Sequence, residues 1–126
     1  MIAKEAVSSD GVHYLGLWCP GCDEPHMVVV GRDPGAPPGP TWEWDGNLDA
    51  PTLSPSVKVR GVQWKPGEGF HKPSHQVEPG GQTVCHSFVR NGIWEYLSDC
   101  THTLAGQHTP IPDRNDGEAS TDPTDA

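Results

Sequence analysis

Short runs of apolar and β-branched residues alternate with Gly- and Pro-rich segments along most of the chain. The turn-forming residues CPGC are flanked by VHYLGLW (12–18) and HMVVVG (26–31), which predicts a hairpin with the cysteines at its tip. Tryptophan alternates with polar residues in TWEWDGN (41–47), and a strand entered through a Ser-Pro turn is predicted for TLSPSVKVRGV (52–62). The pattern therefore predicts a mainly β fold made of antiparallel hairpins.

The clearest hairpin joins TVCHSFVR to IWEYLSDC through Asn-Gly at 91–92. Asn-Gly is the strongest short sequence signal for a two-residue hairpin turn. Extending the register outward from this turn places Cys85 and Cys100 on one face as diagonal neighbours, about 7–8 Å apart. The same alternation places His86 on the opposite face.

Two segments depart from this pattern. Residues 63–82 are rich in Gly, Pro and His without periodicity, and we expect a long loop with exposed His71 and His75. From Thr109 onward Pro, Asp, Ser and Thr predominate, which is typical of disorder. The sequence predicts one β-rich metal-binding domain over residues 1–108, with long Gly/Pro-rich loops, and a disordered acidic tail over 109–126.

Composition narrows the class of protein. Apolar residues make up 33% of the chain, against 15 glycines and 14 prolines, so the core is small and needs a crosslink. The formal net charge of −9 argues against a nucleic-acid partner. No apolar run approaches the roughly 20 residues that span a bilayer, and no secretory signal is evident. We expect a soluble, cytoplasmic protein without a membrane partner, whose cysteines remain reduced and available to a metal.

The cysteines form two pairs that suit a metal site. Cys19 and Cys22 belong to the CPGC knuckle, and Cys85 and Cys100 come from the later hairpin. Four thiolates in tetrahedral geometry favour zinc. An iron–sulfur cluster and thiol redox chemistry are weaker alternatives, since the later cysteines form no CxxC and no βαβ pattern surrounds the first pair. We predict a zinc site formed by these four cysteines.

Polar residues beside the cysteines leave the role of the metal open. Glu24, His86 and His102 lie within a few residues of a predicted ligand. A catalytic zinc keeps three protein ligands and an open position beside an acid or base, so either histidine in place of one cysteine, with Glu24 as general base, would complete such a site. Each residue also has an ordinary explanation: a turn glutamate, a strand histidine bonded to Asp99, and a turn-capping histidine.

Serines near a proline in TLSPS are a further candidate that we set aside. Ser54 and Ser56 fit turn chemistry beside Pro55. A serine nucleophile needs a paired base, and the sequence shows none in register with either serine.

The motifs WCPGC-x-E-x-H, W-x-W-x-G, PT-x-SPS, CHSFVRNG and SDCTH-x-LAGQ, in this order from about Tyr14 to Pro112, resemble a family of small phage and bacterial proteins of unknown function. Members often carry the label "ammonia monooxygenase", which a chain without spanning helices does not fit. More distant relatives look like a shorter domain with an SLSPS segment and a Cys-x-x-His strand, some encoded beside ubiquitin-like conjugation genes. Alignment at the hairpin turn places their histidine on His86 and their cysteine near Thr83. The resemblance implies a zinc-dependent peptidase or deconjugase.

Two functions follow as leading hypotheses. The first is a zinc-dependent hydrolase, a peptidase acting on a protein or conjugate, in which Glu24, His86 or His102 moves protons. The second is a non-catalytic, zinc-stabilised adaptor or inhibitor that binds a host protein, in the host cytoplasm if phage-encoded; its acidic surface suits a basic partner. A zinc deaminase is a weaker third hypothesis, because the HxE element is missing.

Overall fold

The structure, a computed structural model, describes residues 2–69 and 71–113, and these residues form two antiparallel sheets without a helix. The first sheet has the order β1-β2-β3, with β1 Ala3–Val7, β2 Val12–Cys19 and β3 Glu24–Arg32. The second has the order β4-β5-β6-β7-β8, with β4 Glu43–Trp44, β5 Leu53–Val62, β6 Gln82–Arg90, β7 Ile93–Tyr96 and β8 His108–Pro110. The prediction of a mainly β, antiparallel fold is confirmed. In the described part of the chain, no helix is long and apolar enough to cross a membrane.

The cysteine knuckle forms the tip of the β2–β3 hairpin, as predicted. The ladder ends at the pair Cys19–Glu24, and the N–H of Asp23 donates to the carbonyl of Cys19 at 2.8 Å. Asp23 has a φ of 56°, a left-handed conformation that Asp tolerates better than most residues. The tight turn directs Cys19 and Cys22 into the interior, where both are buried.

The β6–β7 hairpin also has the predicted register, with Arg90 opposite Ile93 at the turn. Asn91 and Gly92 both have positive φ, as the favoured two-residue hairpin turn requires. The ladder stops at Tyr96, and a turn follows in which the N–H of Cys100 donates to the carbonyl of Leu97 at 3.2 Å. This turn ends the regular pairing before it reaches Cys100.

The core lies between the sheets. Leu15 and Leu17 from β2 meet Val89 and Trp94 from the β6–β7 hairpin, and all four are almost completely buried. Burial of each such side chain contributes about 1.5–3 kcal/mol. The indole N–H of Trp94 donates to the carbonyl of Trp18 at 2.8 Å and so links the two sheets. The four cysteines extend this core at one end.

The segment between β5 and β6 is more ordered than predicted. His75, expected to be exposed, is 4% exposed, and His71 is half-buried. The buried side chain of Gln63 organises the segment: its amide donates to the carbonyls of Lys72 (2.8 Å) and His75 (3.2 Å), and its carbonyl accepts from the N–H of Lys72 (2.9 Å). The prediction for His75 is wrong because the side chain of Gln63 provides hydrogen bonds that order a segment without strand pairing.

The sheet continues past the predicted domain boundary at residue 108. β8 pairs with β7 as far as Pro110, and Ile111 is buried in the core with 3% exposure. The first residues of the predicted tail therefore belong to the folded domain. The reason is that burial of the apolar side chain of Ile111 stabilises this segment against the core. The remainder of the predicted tail, 114–126, lies outside the described residues.

Candidate catalytic triad and metal centre

Ser56 lies at an irregularity in β5. Leu53 pairs with Val89 and Val57 pairs with Ser87, so the β5 segment between these pairs is longer than the β6 segment it faces. Such a bulge bends a strand and changes the direction of its side chains. Here it places the Oγ of Ser56 3.0 Å from the Nε2 of His86.

His86 links Ser56 to Asp99. Its other ring nitrogen, Nδ1, lies 3.0 Å from the Oδ2 of Asp99, which belongs to the turn after β7. The hypothesis that His86 bonds to Asp99 on its own face is confirmed. The three side chains form the hydrogen-bonded series serine, histidine and aspartate that activates the nucleophile in many hydrolases.

The electrostatics of this series favour one tautomer of His86. The hydrogen bond from His86 lowers the pKa of Asp99 below its ordinary value, so the carboxylate is ionised near neutral pH and only accepts. Nδ1 of His86 then carries the ring proton, and the Nε2 lone pair is free to accept from the hydroxyl of Ser56. The side chains of His86 and Asp99 are 22% and 49% exposed, so solvent and ligands reach the series.

Ser56 is the residue that sequence analysis missed. Its base lies 30 residues away on a neighbouring strand, and the β5–β6 register depends on a bulge that no turn signal announces. The one available signal was the position of Ser56 in the PT-x-SPS motif, which belongs to the family resemblance rather than to ordinary turn chemistry.

A second cluster lies in the interior beside this series. The ligand atoms of Cys19, Cys22, Cys85 and His102 all lie within 4.8 Å of one another, and all four residues are buried. The sulfurs of Cys19 and Cys85 are 3.7 Å apart. Three thiolates and one imidazole are a common ligand set for a tetrahedral metal, so this cluster could hold a metal ion.

His102 occupies the place in this cluster that was predicted for Cys100. Cys100 lies just outside it, where its sulfur accepts from the N–H of His86 at 3.2 Å. A hydrogen bond from the thiol of Cys85 lowers the pKa of Cys100 to about 5. The turn after Tyr96 causes this exchange, because it brings Cys100 to the β6 backbone and carries His102 inward.

Hydrogen bonds among the buried sulfurs shift the pKa values of the cysteines in opposite directions. Hydrogen bonds from Cys22 and Cys85 lower the pKa of Cys19, whereas donation to neighbouring sulfurs and burial raise the pKa of both donors. A divalent cation would stabilise several thiolates at once, which is why metal binding releases protons.

The cluster also contains a buried imidazole nitrogen without a hydrogen-bond partner among the described residues. This nitrogen is the Nε2 of His102. Such a group costs about 1–3 kcal/mol when left unpaired. The donor set of three cysteines and one histidine fits a metal ion.

Neighbouring groups support the cluster. The hydroxyl of Tyr96 lies 3.1 Å from the sulfur of Cys19, and the Nε2 of His75 lies 3.3 Å from the sulfur of Cys22. Gly21 leaves space for the imidazole of His102, because a Cβ there would lie only 2.5 Å from its Nε2. Hydrogen bonds to metal-bound sulfurs orient ligands and tune affinity.

Glu24 lies at the edge of the cluster. It forms a second group with Cys22 and His26, but its Oε2 is 3.1 Å from the Nζ of Lys72, with which it forms an ion pair. The role of Glu24 as a general base stays a prediction.

The triad and the metal cluster share two segments of the chain. His86 directly follows Cys85 on β6, and Asp99 directly precedes Cys100 in the turn that leads to His102. An ion that fixes Cys85 and His102 would therefore also fix the two segments that carry the histidine and the aspartate.

No curated protein and no solved structure shows significant similarity to the chain. The sequence model of the family described as bacterial ubiquitination-like system serine protease (BubE) matches residues 2–97. The matched region contains Ser56 and His86, and it ends two residues before Asp99. Because this match covers most of the 126 residues, the chain belongs to the BubE family.

Proposed function

We propose that this protein is a serine peptidase in which Ser56 is the nucleophile, His86 the general base and Asp99 the residue that orients His86. The observation that carries the proposal is the pair of 3.0 Å contacts from Ser56 Oγ to His86 Nε2 and from His86 Nδ1 to Asp99 Oδ2. The description of the BubE family as serine proteases supports it.

Acylation is the first half of the proposed reaction. The Oγ of Ser56 attacks the carbonyl carbon of the scissile amide while its proton moves to the Nε2 of His86. The new imidazolium is stabilised by the carboxylate of Asp99 and then gives the proton to the leaving nitrogen. The C–N bond breaks, the amine departs, and an ester joins the substrate acyl group to Ser56.

Deacylation repeats the same proton transfers with water. His86 accepts a proton from a water molecule, which attacks the ester carbonyl. The proton returns to the Oγ of Ser56 as the ester breaks, and the carboxylic acid product leaves. His86 and Ser56 end in their starting protonation states, so no further reactant is needed.

The proposed substrate is a ubiquitin-like protein or its conjugate. The family description places BubE proteases in a bacterial ubiquitination-like system, in which a peptidase would act on a precursor peptide bond or on an isopeptide bond. Both are amides and need the same acyl transfer. This proposal keeps the predicted peptidase acting on a protein or conjugate, and it replaces zinc-bound water by a serine as nucleophile.

We propose that the metal is zinc and that its role is structural. Cys19, Cys22, Cys85 and His102 would supply four protein ligands, a number that leaves no open position and is typical of structural zinc. Bound zinc would supply a crosslink between the knuckle, β6 and the turn after β7. In this arrangement His102 is a ligand rather than an acid or base.

The test is covalent labelling by a fluorophosphonate, followed by identification of the modified peptide by mass spectrometry. We expect stoichiometric labelling of Ser56 and its loss in Ser56→Ala. The matched control is Ser54→Ala, which removes the other serine of the same segment and leaves labelling intact. Zinc content should be one ion per chain, and a chelator should lower both the melting temperature and the labelling rate until zinc is restored.

Other outcomes would overturn the proposal. Peptide hydrolysis that persists in Ser56→Ala and requires zinc would indicate a metal-dependent hydrolase. Absence of labelling and of hydrolysis in a folded, zinc-loaded protein would instead favour the adaptor hypothesis. Full zinc occupancy in a Cys19→Ser variant would contradict the proposed ligand set.

A further inference from the structure

The outer edge of β5 is paired over only part of its length. β6 covers the inner edge from Val57 to Val62, whereas β4 covers the outer edge only at Leu53 and Ser54. Beyond Ser54, no strand in residues 2–69 and 71–113 pairs with this edge. An open edge presents unpaired N–H and C=O groups to which an extended peptide can add as a further strand.

The backbone geometry identifies the groups on that edge. The N–H of Leu97 donates to the carbonyl of His86 at 2.8 Å, so the backbone groups of His86 face β7. Backbone groups of successive residues face opposite edges, so those of Cys85 face β5 and those of its partner Val59 face back toward β6. Three alternate residues of β5 therefore direct their backbone groups to the open edge: Lys58, Arg60 and Val62.

Two positive charges lie on the triad face of this edge. Lys58 is the ladder partner of His86 on the neighbouring strand, and its Nζ is 3.9 Å from the Oδ2 of Asp99. Arg60 follows on the same face by the alternation of side chains, is exposed, and forms no ion pair within the described residues. In a chain of net charge −9, this local pair of cations favours acidic side chains in a bound peptide.

A pocket lies at the far end of the same edge. Its volume is about 290 Å³, and Val62, Trp64 and Pro79 are among its lining residues. Val62 and Trp64 are 56% and 48% exposed and together give the pocket an apolar surface, as interaction sites often have. Val62 is six positions after Ser56, so the pocket lies roughly 20 Å from the nucleophile along an extended strand.

We propose that an extended, acidic segment of the polypeptide substrate pairs with β5 from Lys58 to Val62 and places a large apolar side chain in the pocket beside Trp64. Backbone pairing fixes the register and direction of the peptide along β5, so that its scissile carbonyl reaches Ser56. Acidic side chains at alternate positions face Lys58 and Arg60, and the apolar residue lies about five or six positions from the scissile bond. This inference rests on the proposed function and specifies the class of substrate.

The experiment profiles cleavage of a proteome-derived peptide library by mass spectrometry. We expect cleavage sites enriched in Asp and Glu at alternate positions, with a large apolar residue five or six positions away. Arg60→Glu should reduce the cleavage of acidic peptides about tenfold, because attraction becomes repulsion. Trp64→Ala should remove the apolar preference. Lys4→Glu, which changes an exposed cation on the other sheet, is the control and should not alter the profile.

Backbone pairing is tested with synthetic peptides from the cleaved set. N-methylation of a residue whose N–H faces β5 should lower kcat/KM about tenfold or more, because it removes a donor and adds bulk at the edge. N-methylation of the next residue, whose N–H points away, is the matched control and should have little effect. These peptides use the unaltered protein, so the test does not depend on the folding of a variant.

Fluorophosphonate labelling separates the two ideas. Labelling of Ser56 should be equal in the wild type and in the control Lys4→Glu, because the small probe needs only the triad. Normal labelling with no acidic enrichment, with an unchanged Arg60→Glu profile, or with equal effects of both N-methylations would overturn the inference alone. Labelling of Ser56 without cleavage of any library peptide would also overturn the inference, because extended peptides have free access to an open edge. A wild type that neither labels nor cleaves would overturn the proposed function as well.

Discussion

Replacement of Asp99 by asparagine tests how much an exposed carboxylate contributes to this triad. The amide side chain keeps an oxygen that accepts from the Nδ1–H of His86, but the substitution removes the negative charge that stabilises the imidazolium during acylation. A hydrogen bond to a charged group contributes about 1.5–3 kcal/mol, and a neutral one about 0.5–1.5 kcal/mol. The change therefore removes about 1 kcal/mol of stabilisation from the transition state.

The exposure of Asp99 keeps this effect small. Its side chain is 49% exposed, and water competes with His86 for the carboxylate. The Nζ of Lys58, 3.9 Å from the same oxygen, also offsets part of the negative charge. We expect a fall of about five- to tenfold in rate. The same substitution costs about 10⁴-fold in a serine protease triad whose aspartate is buried, where the asparagine variant also holds the histidine in the wrong tautomer.

The assay is the second-order rate constant for labelling of Ser56 by a fluorophosphonate, measured on folded, zinc-loaded protein. The control is Asp33→Asn, because the Oδ1 of Asp33, just after β3, lies 2.8 Å from the Nε2 of His13 in a similarly exposed pair at the other sheet. That variant should label at the wild-type rate. A rate within twofold of wild type for Asp99→Asn would show that Asp99 does not assist His86. A loss as large as that of Ser56→Ala would refute the exposure argument.

Two further predictions concern the metal cluster. Gly21→Ala should lower the free energy of unfolding by about 1–3 kcal/mol and speed the loss of zinc to a chelator, because the new Cβ would overlap the imidazole of His102. The control is Gly31→Ala, whose Cβ would make only an ordinary 3.5 Å contact. Equal zinc retention in both variants would contradict this prediction. Burial lowers the pKa of His75 from 6.5 to about 4, so the unfolded chain binds more protons than the folded one between these values, and stability falls as pH falls through the window. From pH 6.5 to 4, the melting temperature of His75→Gln should fall less than that of the wild type, because only the wild type loses up to about 3 kcal/mol of unfolding free energy to protonation of His75. Parallel curves of melting temperature against pH would contradict this role of His75.

Local patterns in the sequence determined both hairpins and much of the chemistry. Asn-Gly at 91–92 set the β6–β7 register, and the CPGC knuckle set the β2–β3 turn, because both turns depend on the conformations of a few adjacent residues. Alternation along β6 then predicted that His86 faces away from Cys85, and the contact with Asp99 followed from the same hairpin. The cysteine content predicted a metal-binding cluster before any tertiary contact was known.

Only the tertiary structure decided which residues complete the two sites. Ser56 meets His86 because β5 and β6 pair across 30 residues and a bulge turns the serine toward the histidine. His102, and not Cys100, lies with Cys19, Cys22 and Cys85 in the candidate metal cluster, because a turn after Tyr96 interrupts the ladder that the sequence pattern continued. A turn signal acts over a few residues, whereas the pairing of distant strands depends on the whole core, whose burial outweighs local preferences.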